Sequence, residues 1–90
     1  MAHIEQQRKK LLSRTRRIAG QVAALESALT SGTDCSQVLV QIAAVRGAVH
    51  GLMMEVLDGH LREHVVEEVA KPKRAREAAA ITALMRTYLK

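Results

Sequence analysis

The stretch from Cys35 to His64 constrains the fold more than any other part of the sequence. It contains no proline, and it carries a thiol at one end and two imidazoles, His60 and His64, at the other. In one continuous helix, Cys35 and His60 would lie about 37 Å apart, at roughly 1.5 Å per residue. One chain could not close all three side chains around a single ion. The spacing therefore predicts that two such helices pair antiparallel, which makes the protein an obligate oligomer with sites at its interfaces.

Apolar residues in two long segments recur at alternating steps of three and four, the spacing of helices that pack side by side. We predict helix one from about Glu5 to Thr30, after a short flexible start at residues 1–4, and helix two from Cys35 to about Val69. The positions of the two stripes are Leu11, Thr15, Ile18, Val22, Leu25 and Leu29 in helix one, where Thr15 is the one polar member, and Val38, Ile42, Val45, Val49, Leu52 and Val56 in helix two.

Turn-forming residues separate these helices from each other and from a third. Gly32 can close helix one, and Thr33 or Asp34 can cap helix two, which places the thiol in its first turn. Pro72 disfavours helical geometry at the preceding residue and can open helix three, which we predict from about Lys73 to Leu89. The sequence therefore predicts an all-α protein with three helices per chain.

Helix two also carries a stripe of small residues, Ala43, Gly47 and Gly51, at steps of four. Glycine costs about 1 kcal/mol relative to alanine in a helix interior. Two glycines therefore require a compensating contact. We predict that this stripe lets a neighbouring helix approach closely.

The composition agrees with a small helical domain that assembles. Ninety residues with one proline and five glycines make a single domain, residues 1–90, below the size at which a monomeric core is comfortably stable. Apolar residues are 48% of the chain and aromatic residues 1%, so the core must come from aliphatic side chains. The lone cysteine fits a reducing cytosol. No apolar run approaches the length of a membrane span and no signal-peptide core opens the chain, so we expect a cytoplasmic protein with no membrane partner.

Basic residues are concentrated in the first half of helix one. The chain has 14 Lys and Arg against 9 Asp and Glu, a formal charge of +5, and no acidic residue lies between Gln6 and Gly20. A run of cations along a rigid helix suits phosphate backbones, whereas a merely solvated face usually mixes signs. We therefore predict a nucleic-acid partner, with a second basic patch at Lys73, Arg74 and Arg76. The contacts predicted in helix one are Lys10, Arg14, Arg16, Arg17 and Gln21.

Histidines and the cysteine form the candidate metal ligands. His60 and His64 are four residues apart, which places both imidazoles on one helical face within reach of one ion. With Cys35 of an antiparallel partner they make a ligand set that suits nickel, cobalt, zinc or copper. His3 can add a further nitrogen ligand. Cys35 at a helix N-terminus can alternatively act as a reactive thiol. No catalytic triad, carboxylate pair or phosphate-binding glycine loop is present, so we do not expect an enzyme.

Several segments together resemble one family, the all-helical bacterial repressors of the CsoR/RcnR/FrmR type. The resemblance spans essentially the whole chain. It implies a three-helix protomer, a dimer on antiparallel second helices that form a four-helix-bundle core, and a disc-like tetramer that is a dimer of dimers and binds operator DNA until an effector releases it. The segments that carry it are RTRRIAGQVAALE (14–26), the cysteine in the first turn of helix two, QIAAVRGAVHGLMMEV (41–56), GHLREH (59–64) and the closing TYLK.

A few positions set the effector within this family. The resemblance implies that Cys35 supplies the thiolate and that His60 comes from the partner chain. Copper(I) sensors carry a second cysteine where His64 stands, whereas nickel and cobalt sensors carry histidine there and at the position of His3. Formaldehyde sensors are similar to this chain at Cys35, but they carry an acidic residue at the position of His64 and proline at that of Ala2.

We therefore predict a nickel- or cobalt-responsive transcriptional repressor that binds double-stranded operator DNA as a homotetramer, with zinc as a further candidate metal. Two alternatives stay open. One is a formaldehyde-responsive repressor that uses Cys35 covalently, and the other is a metal-binding helical bundle that does not bind DNA. The predicted metal ligands are His3, Cys35, His60 and His64, and the predicted DNA contacts are Lys10, Arg14, Arg16, Arg17 and Gln21.

Overall fold

The computed structural model describes the backbone of residues 2–89 and the side chains of residues 7–89. No strand occurs in this part of the chain, so the predicted all-α fold with three helices is confirmed. The elements are α1 (Ala2–Thr30), α2 (Cys35–Leu61), a π-helical turn (Arg62–Val66) that directly follows α2, and α3 (Lys71–Tyr88).

The turn between α1 and α2 forms as its residue types predict. Gly32 adopts a left-handed backbone with φ 73°, a conformation that costs glycine little because it has no Cβ. This lets the Thr33 amide donate back to the Ala28 carbonyl at 3.0 Å and so close α1. At its other end α1 begins at Ala2, not near Glu5, so the predicted flexible start at residues 1–4 is wrong for residues 2–4.

Asp34 precedes α2, and its backbone carbonyl accepts the first hydrogen bonds of the helix. Its carbonyl accepts hydrogen bonds from the amides of Gln37 at 3.0 Å and Val38 at 3.1 Å. Its carboxylate accepts a hydrogen bond from the Ser36 hydroxyl. The bond from Gln37 satisfies an amide that a helix start otherwise leaves unpaired. As predicted, Cys35 is the first residue of the helix.

The far end of α2 departs from the predicted regular helix. Regular geometry ends at Leu61, and the π-turn then runs to Val66, three residues short of the predicted end near Val69. The Glu67 amide donates to the Arg62 carbonyl at 2.8 Å, which is the wider i to i+5 spacing of a π-turn. Nε of Arg62 also donates to the Asp58 carboxylate at 3.0 Å. The fold therefore changes its helical geometry within the GHLREH segment.

The start of α3 is set by Ala70 and Pro72. Ala70 has an extended backbone, with φ −79° and ψ 109°, and Pro72 lies in the first turn, where its missing N–H is not needed. The helix begins at Lys71, two residues earlier than predicted, and ends at Tyr88.

The chain divides into two compact units, residues 1–54 and 55–90. In the first unit, α1 contacts α2 through the Arg14 guanidinium, which donates to the Gly51 carbonyl at 3.2 Å. In the second unit, α3 packs on the π-turn, and Ile81 is the most buried residue there, 2% exposed.

The first unit separates the predicted apolar stripes into inner and outer positions. In α2, Val38 is buried and Val45 is partly buried, whereas Ile42 and Val49 are 45% and 42% exposed. In α1, alternate members of the predicted stripe are likewise exposed, including Val22. The two heptad positions therefore do not face the same neighbour. One faces the other helix of the hairpin, and the other is left uncovered in a single chain.

One chain buries very little. Of the residues whose side chains are described, only Ala28, Val38 and Ile81 are buried. Burial of apolar surface is the main favourable term in folding, and a core of this size is small for a 90-residue chain. The uncovered apolar surface of α2 is where a partner chain would add to it.

Among the described residues of one chain, the glycines of the small-residue stripe of α2 meet a side chain and no helix backbone. A Cβ at Gly47 would meet no atom within 4 Å, so no close backbone approach occurs there. At Gly51 the nearest atom is Nη1 of Arg14, 3.7 Å from the Cβ position. Within the described chain, Gly51 therefore accommodates an arginine side chain from α1 and not a closely packed helix backbone.

The stretch Cys35–Val66 is long and apolar enough to cross a membrane, judged by length and composition alone. This corrects the expectation that no apolar run approaches that length. The central helix of a helical assembly passes the same test, because it is covered by apolar neighbours on several sides.

Candidate functional site

Cys35 is exposed at the start of α2. The structure thus leaves the thiol accessible to a ligand or to a second chain.

The structure brings His60 and His64 together at the other end of α2. Their ring centroids are 4.4 Å apart and the ring planes are inclined by 37°. His60 lies in the last turn of α2 and His64 in the π-turn, so the pair is built across the change in helical geometry. Single π-turns of this kind are rare and occur frequently at functional sites. The two imidazoles form the most concentrated group of candidate ligands in the second unit.

Two carboxylates lie beside these imidazoles. Oε2 of Glu77, on α3, is 3.5 Å from Nε2 of His60, and Oε2 of Glu63 is 3.9 Å from Nε2 of His64. Carboxylates that hold one imidazole nitrogen orient the ring and leave the other nitrogen for a metal. With Nε2 of His60 facing Glu77, Nδ1 is the atom that remains available. Sequence reasoning missed both carboxylates, and for Glu77 no spacing signal could have found it, because it lies on another helix.

No three His, Cys, Asp or Glu side chains within residues 7–89 are placed to hold a metal ion together. A metal site that uses Cys35 with the two imidazoles therefore needs ligands beyond those brought together in one chain, as the antiparallel hypothesis requires. The side chain of His3, the fourth predicted ligand, lies outside the described residues.

The predicted nucleic-acid contacts on α1 fall into two groups. Lys10, Arg16 and Arg17 are exposed, whereas Arg14 and Gln21 are partly buried. Arg14 donates to the Gly51 carbonyl, and the buried Oε1 of Gln21 has no hydrogen-bond partner. Arg14 and Gln21 thus lie against α2, whereas the other three predicted contacts remain exposed.

A groove of about 220 Å³ lies between α1 and α2 at this point. Arg14, Arg17 and Gln21 line it from α1, and Gly47 and Gly51 line it from α2. The absent glycine side chains provide this room, and the groove carries positive charge from the two guanidinium groups.

A helical hairpin with a basic first helix, joined to a unit that carries paired imidazoles, defines the class of helical, ligand-responsive DNA-binding proteins. The family model described as "Metal-sensitive transcriptional repressor" matches residues 7–88. The chain belongs to this family, which is the CsoR/RcnR/FrmR family of the sequence resemblance. Its members are transcriptional repressors and not enzymes, and their partner is operator DNA. Family membership thus disfavours the alternative of a bundle without DNA function.

Three similar proteins illustrate the range within the family. The chain is 53% identical, over the full length of both chains, to an uncharacterized protein encoded in the 5′ region of bioA in Serratia marcescens. It is 43% identical, again over both full lengths, to the transcriptional repressor RcnR of Salmonella paratyphi B. Among solved structures, it is similar to a glutamate-to-histidine variant of the formaldehyde-responsive regulator FrmR from Salmonella enterica serovar Typhimurium. That match has a TM-score of 0.84 and 50% identity, and it covers 92% of this chain and 94% of the other.

Proposed function

We propose that the protein is a cytoplasmic, nickel- or cobalt-responsive repressor that holds operator DNA in its metal-free form and releases it when metal binds. The observation that carries this proposal is the pairing of the His60 and His64 rings, 4.4 Å apart, with carboxylates beside them. Two imidazoles at one point favour a metal of intermediate softness over copper(I), which prefers a set dominated by thiolates.

The proposed ligand set is Cys35 of one chain with His60 and His64 of its partner, completed by His3. A thiolate, three imidazoles and nearby carboxylates supply the mixed nitrogen, sulfur and oxygen donors that nickel and cobalt accept. Zinc accepts the same donor types but usually takes four ligands. A coordination shell of more than four ligands therefore favours nickel or cobalt, with zinc as a further candidate.

The proposed assembly is a dimer on antiparallel α2 helices, and two dimers form a tetramer. The exposed apolar side chains of Ile42 and Val49 support it, because one chain leaves them uncovered on the central helix. In a C2 dimer, both copies of each of these side chains, one from each protomer, would be buried in the interface. The same arrangement brings the start of one α2 to the end of the other, where the ligands meet.

The proposed DNA contacts are Lys10, Arg14, Arg16, Arg17 and Gln21. Position 3 lies on the same helix as these residues, because α1 extends from Ala2 to Thr30. Recruitment of His3 to the metal would therefore act on the helix that holds DNA. By linkage, metal must weaken DNA affinity by the same factor by which DNA weakens metal affinity.

The proposal is tested by titrating nickel, cobalt, zinc or copper(I) into a complex of the protein with labelled operator DNA. Nickel or cobalt should release the DNA at the lowest free concentration. His64→Ala should bind DNA normally and lose the metal response. His50→Ala is the matched control, since it removes an exposed α2 histidine outside the proposed ligand set, and it should respond as the wild type does. DNA release by formaldehyde, with no response to any metal, would contradict the proposal.

A formaldehyde-responsive repressor is the second candidate. The solved neighbour named for that response is 50% identical to this chain, and Cys35 is exposed and so accessible to an electrophile. Mass spectrometry of formaldehyde-treated protein distinguishes the two, because a covalent adduct on Cys35 that releases DNA is expected only for the second candidate.

A further inference from the structure

The start of α3 carries a basic cluster that the proposed function does not use. Four of its first six residues are cationic, and all four are exposed in the structure. We define these residues, Lys71, Lys73, Arg74 and Arg76, as the α3 basic patch.

Most of the charge in this patch is uncompensated. Nζ of Lys73 lies 3.6 Å from Oε1 of Glu68, a pair in which the lysine side chain is 55% exposed. The other three cations have no ion-pair partner among the side chains of residues 7–89. Of the other nearby acids, Glu67 makes no such pair either and Glu77 faces His60. The patch thus keeps a net positive charge.

The patch also opposes the usual charge preference of a helix. A helix N-terminus carries a partial positive charge and favours acidic side chains in its first turn. Here the first turn has no acidic residue, and Ala70 gives no side-chain cap. Four cations at this end add to the helix dipole and do not offset it, so a bound anion would be favoured by both.

We propose that the α3 basic patch is a second DNA-contacting surface that binds backbone phosphates of the operator in addition to those held by α1. This inference rests on the proposed repressor function. The patch spans five residue steps, about 7.5 Å of helix. Duplex DNA presents one charge per about 1.7 Å of its axis, so roughly four phosphate charges fall within that length. Lysine and arginine side chains at this spacing can pair with backbone phosphates, and such contacts position a protein on the duplex.

The experiment compares Arg74→Gln and Arg76→Gln with Arg86→Gln. Arg86 is also exposed on α3 but lies near its other end, so it serves as a control that removes the same charge. The probe is a labelled duplex selected from random DNA by the wild-type protein. Affinity is measured by fluorescence anisotropy of the full-length, metal-free protein over a series of salt concentrations, and circular dichroism checks that each variant is folded.

Each phosphate contact contributes about 0.9 to the slope of log affinity against log salt, which corresponds to roughly eight-fold in affinity at 0.1 M salt. Arg74→Gln and Arg76→Gln should each reduce both quantities by at least about that amount, since the proposed tetramer carries the substitution in every protomer, and Arg86→Gln should leave them unchanged. Equal slopes in all three variants and the wild type would overturn the inference. A loss of binding to anionic phospholipid vesicles in the two patch variants, with unaltered DNA affinity, would also overturn it. Failure of the wild-type protein to select any duplex would instead contradict the repressor function itself.

Discussion

The basic half of α1 and the imidazole pair that follows α2 differ in how much of each a single chain contains. Lys10, Arg16 and Arg17 are exposed on one helix, and nothing further is needed to present their charge. His60 and His64 are paired and flanked by carboxylates, yet no three candidate ligands within residues 7–89 are placed to hold an ion. In the proposed repressor, the first region is a surface and the second is one part of a metal site shared between chains.

This difference explains how the two functions can be coupled. A charged surface on one helix is complete in a single chain, and the orientation of the helix determines where it can bind. A site shared between chains forms only when the assembly brings its parts together. In the proposed assembly, an effector that completes the shared site would favour one arrangement of the chains, and the basic helices would follow that arrangement. Coupling of this kind requires an arrangement with two states that both ligands bias.

Replacing Ile42 with aspartate should have the largest effect, because it tests whether the metal site depends on assembly of the chains. Ile42 is 45% exposed in one chain. In a symmetric dimer, the introduced carboxylates of both protomers would be buried in the interface. Burying an apolar side chain of this size is worth about 1.5–3 kcal/mol, and an unpaired buried charge costs more. We expect Ile42→Asp to abolish assembly in sedimentation velocity and, with it, tight metal binding.

The control is Val69→Asp, because Val69 is 93% exposed and lies outside the helices. This variant should assemble and bind metal as the wild type does. Tight metal binding by a monomeric Ile42→Asp protein would show that the site is complete within one chain, and the contrast between the two regions would then disappear.

Replacing Glu77 with glutamine tests whether this carboxylate orients the imidazole of His60 in the proposed ligand pair. Its carboxylate lies 3.5 Å from Nε2 of His60 and should orient that ring for a metal at Nδ1. Loss of such a partner typically weakens metal affinity 10–100-fold. We expect a decrease of about that size in nickel or cobalt affinity, measured by competition with a chelator, and no change in the DNA affinity of the metal-free protein.

Glu68→Gln is the matched control, since Glu68 pairs with Lys73 and not with either imidazole. It should leave metal affinity within about two-fold of the wild type, as expected for a partly exposed surface pair. Equal metal affinities in Glu77→Gln and the wild type would mean that the carboxylate has no part in orienting His60.

The elements and their order were predictable because they depend on local signals. Gly32 supplies the left-handed turn, Asp34 opens α2 and Pro72 lies in the first turn of α3. The pairing of His60 with His64 followed from their spacing in the same way. Each of these features is determined within a few residues of the chain.

The features that the sequence did not predict depend on contacts between elements. Glu77 approaches His60 from another helix. No residue pattern in GHLREH distinguishes its π-turn from a regular α-helix. Arg14 and Gln21 were predicted as DNA contacts together with the exposed cations of α1. In the hairpin both are partly buried, and Arg14 donates a hydrogen bond to the Gly51 carbonyl. Periodicity defines faces, but it does not say which neighbour each face meets.

Replacing Gly51 with alanine is the mildest test and concerns the first region alone. A Cβ there would lie 3.7 Å from Nη1 of Arg14, an ordinary van der Waals distance. The substitution should also favour the helix by about 1 kcal/mol. We therefore expect Gly51→Ala to raise the free energy of unfolding by up to about 1 kcal/mol, measured by urea denaturation, with metal affinity unchanged. Gly47→Ala, which meets no atom within 4 Å, should give a similar increase. If either alanine variant is instead destabilised, a helix of another chain must approach α2 at these glycines, and the small-residue stripe would belong to the assembly and not to the hairpin.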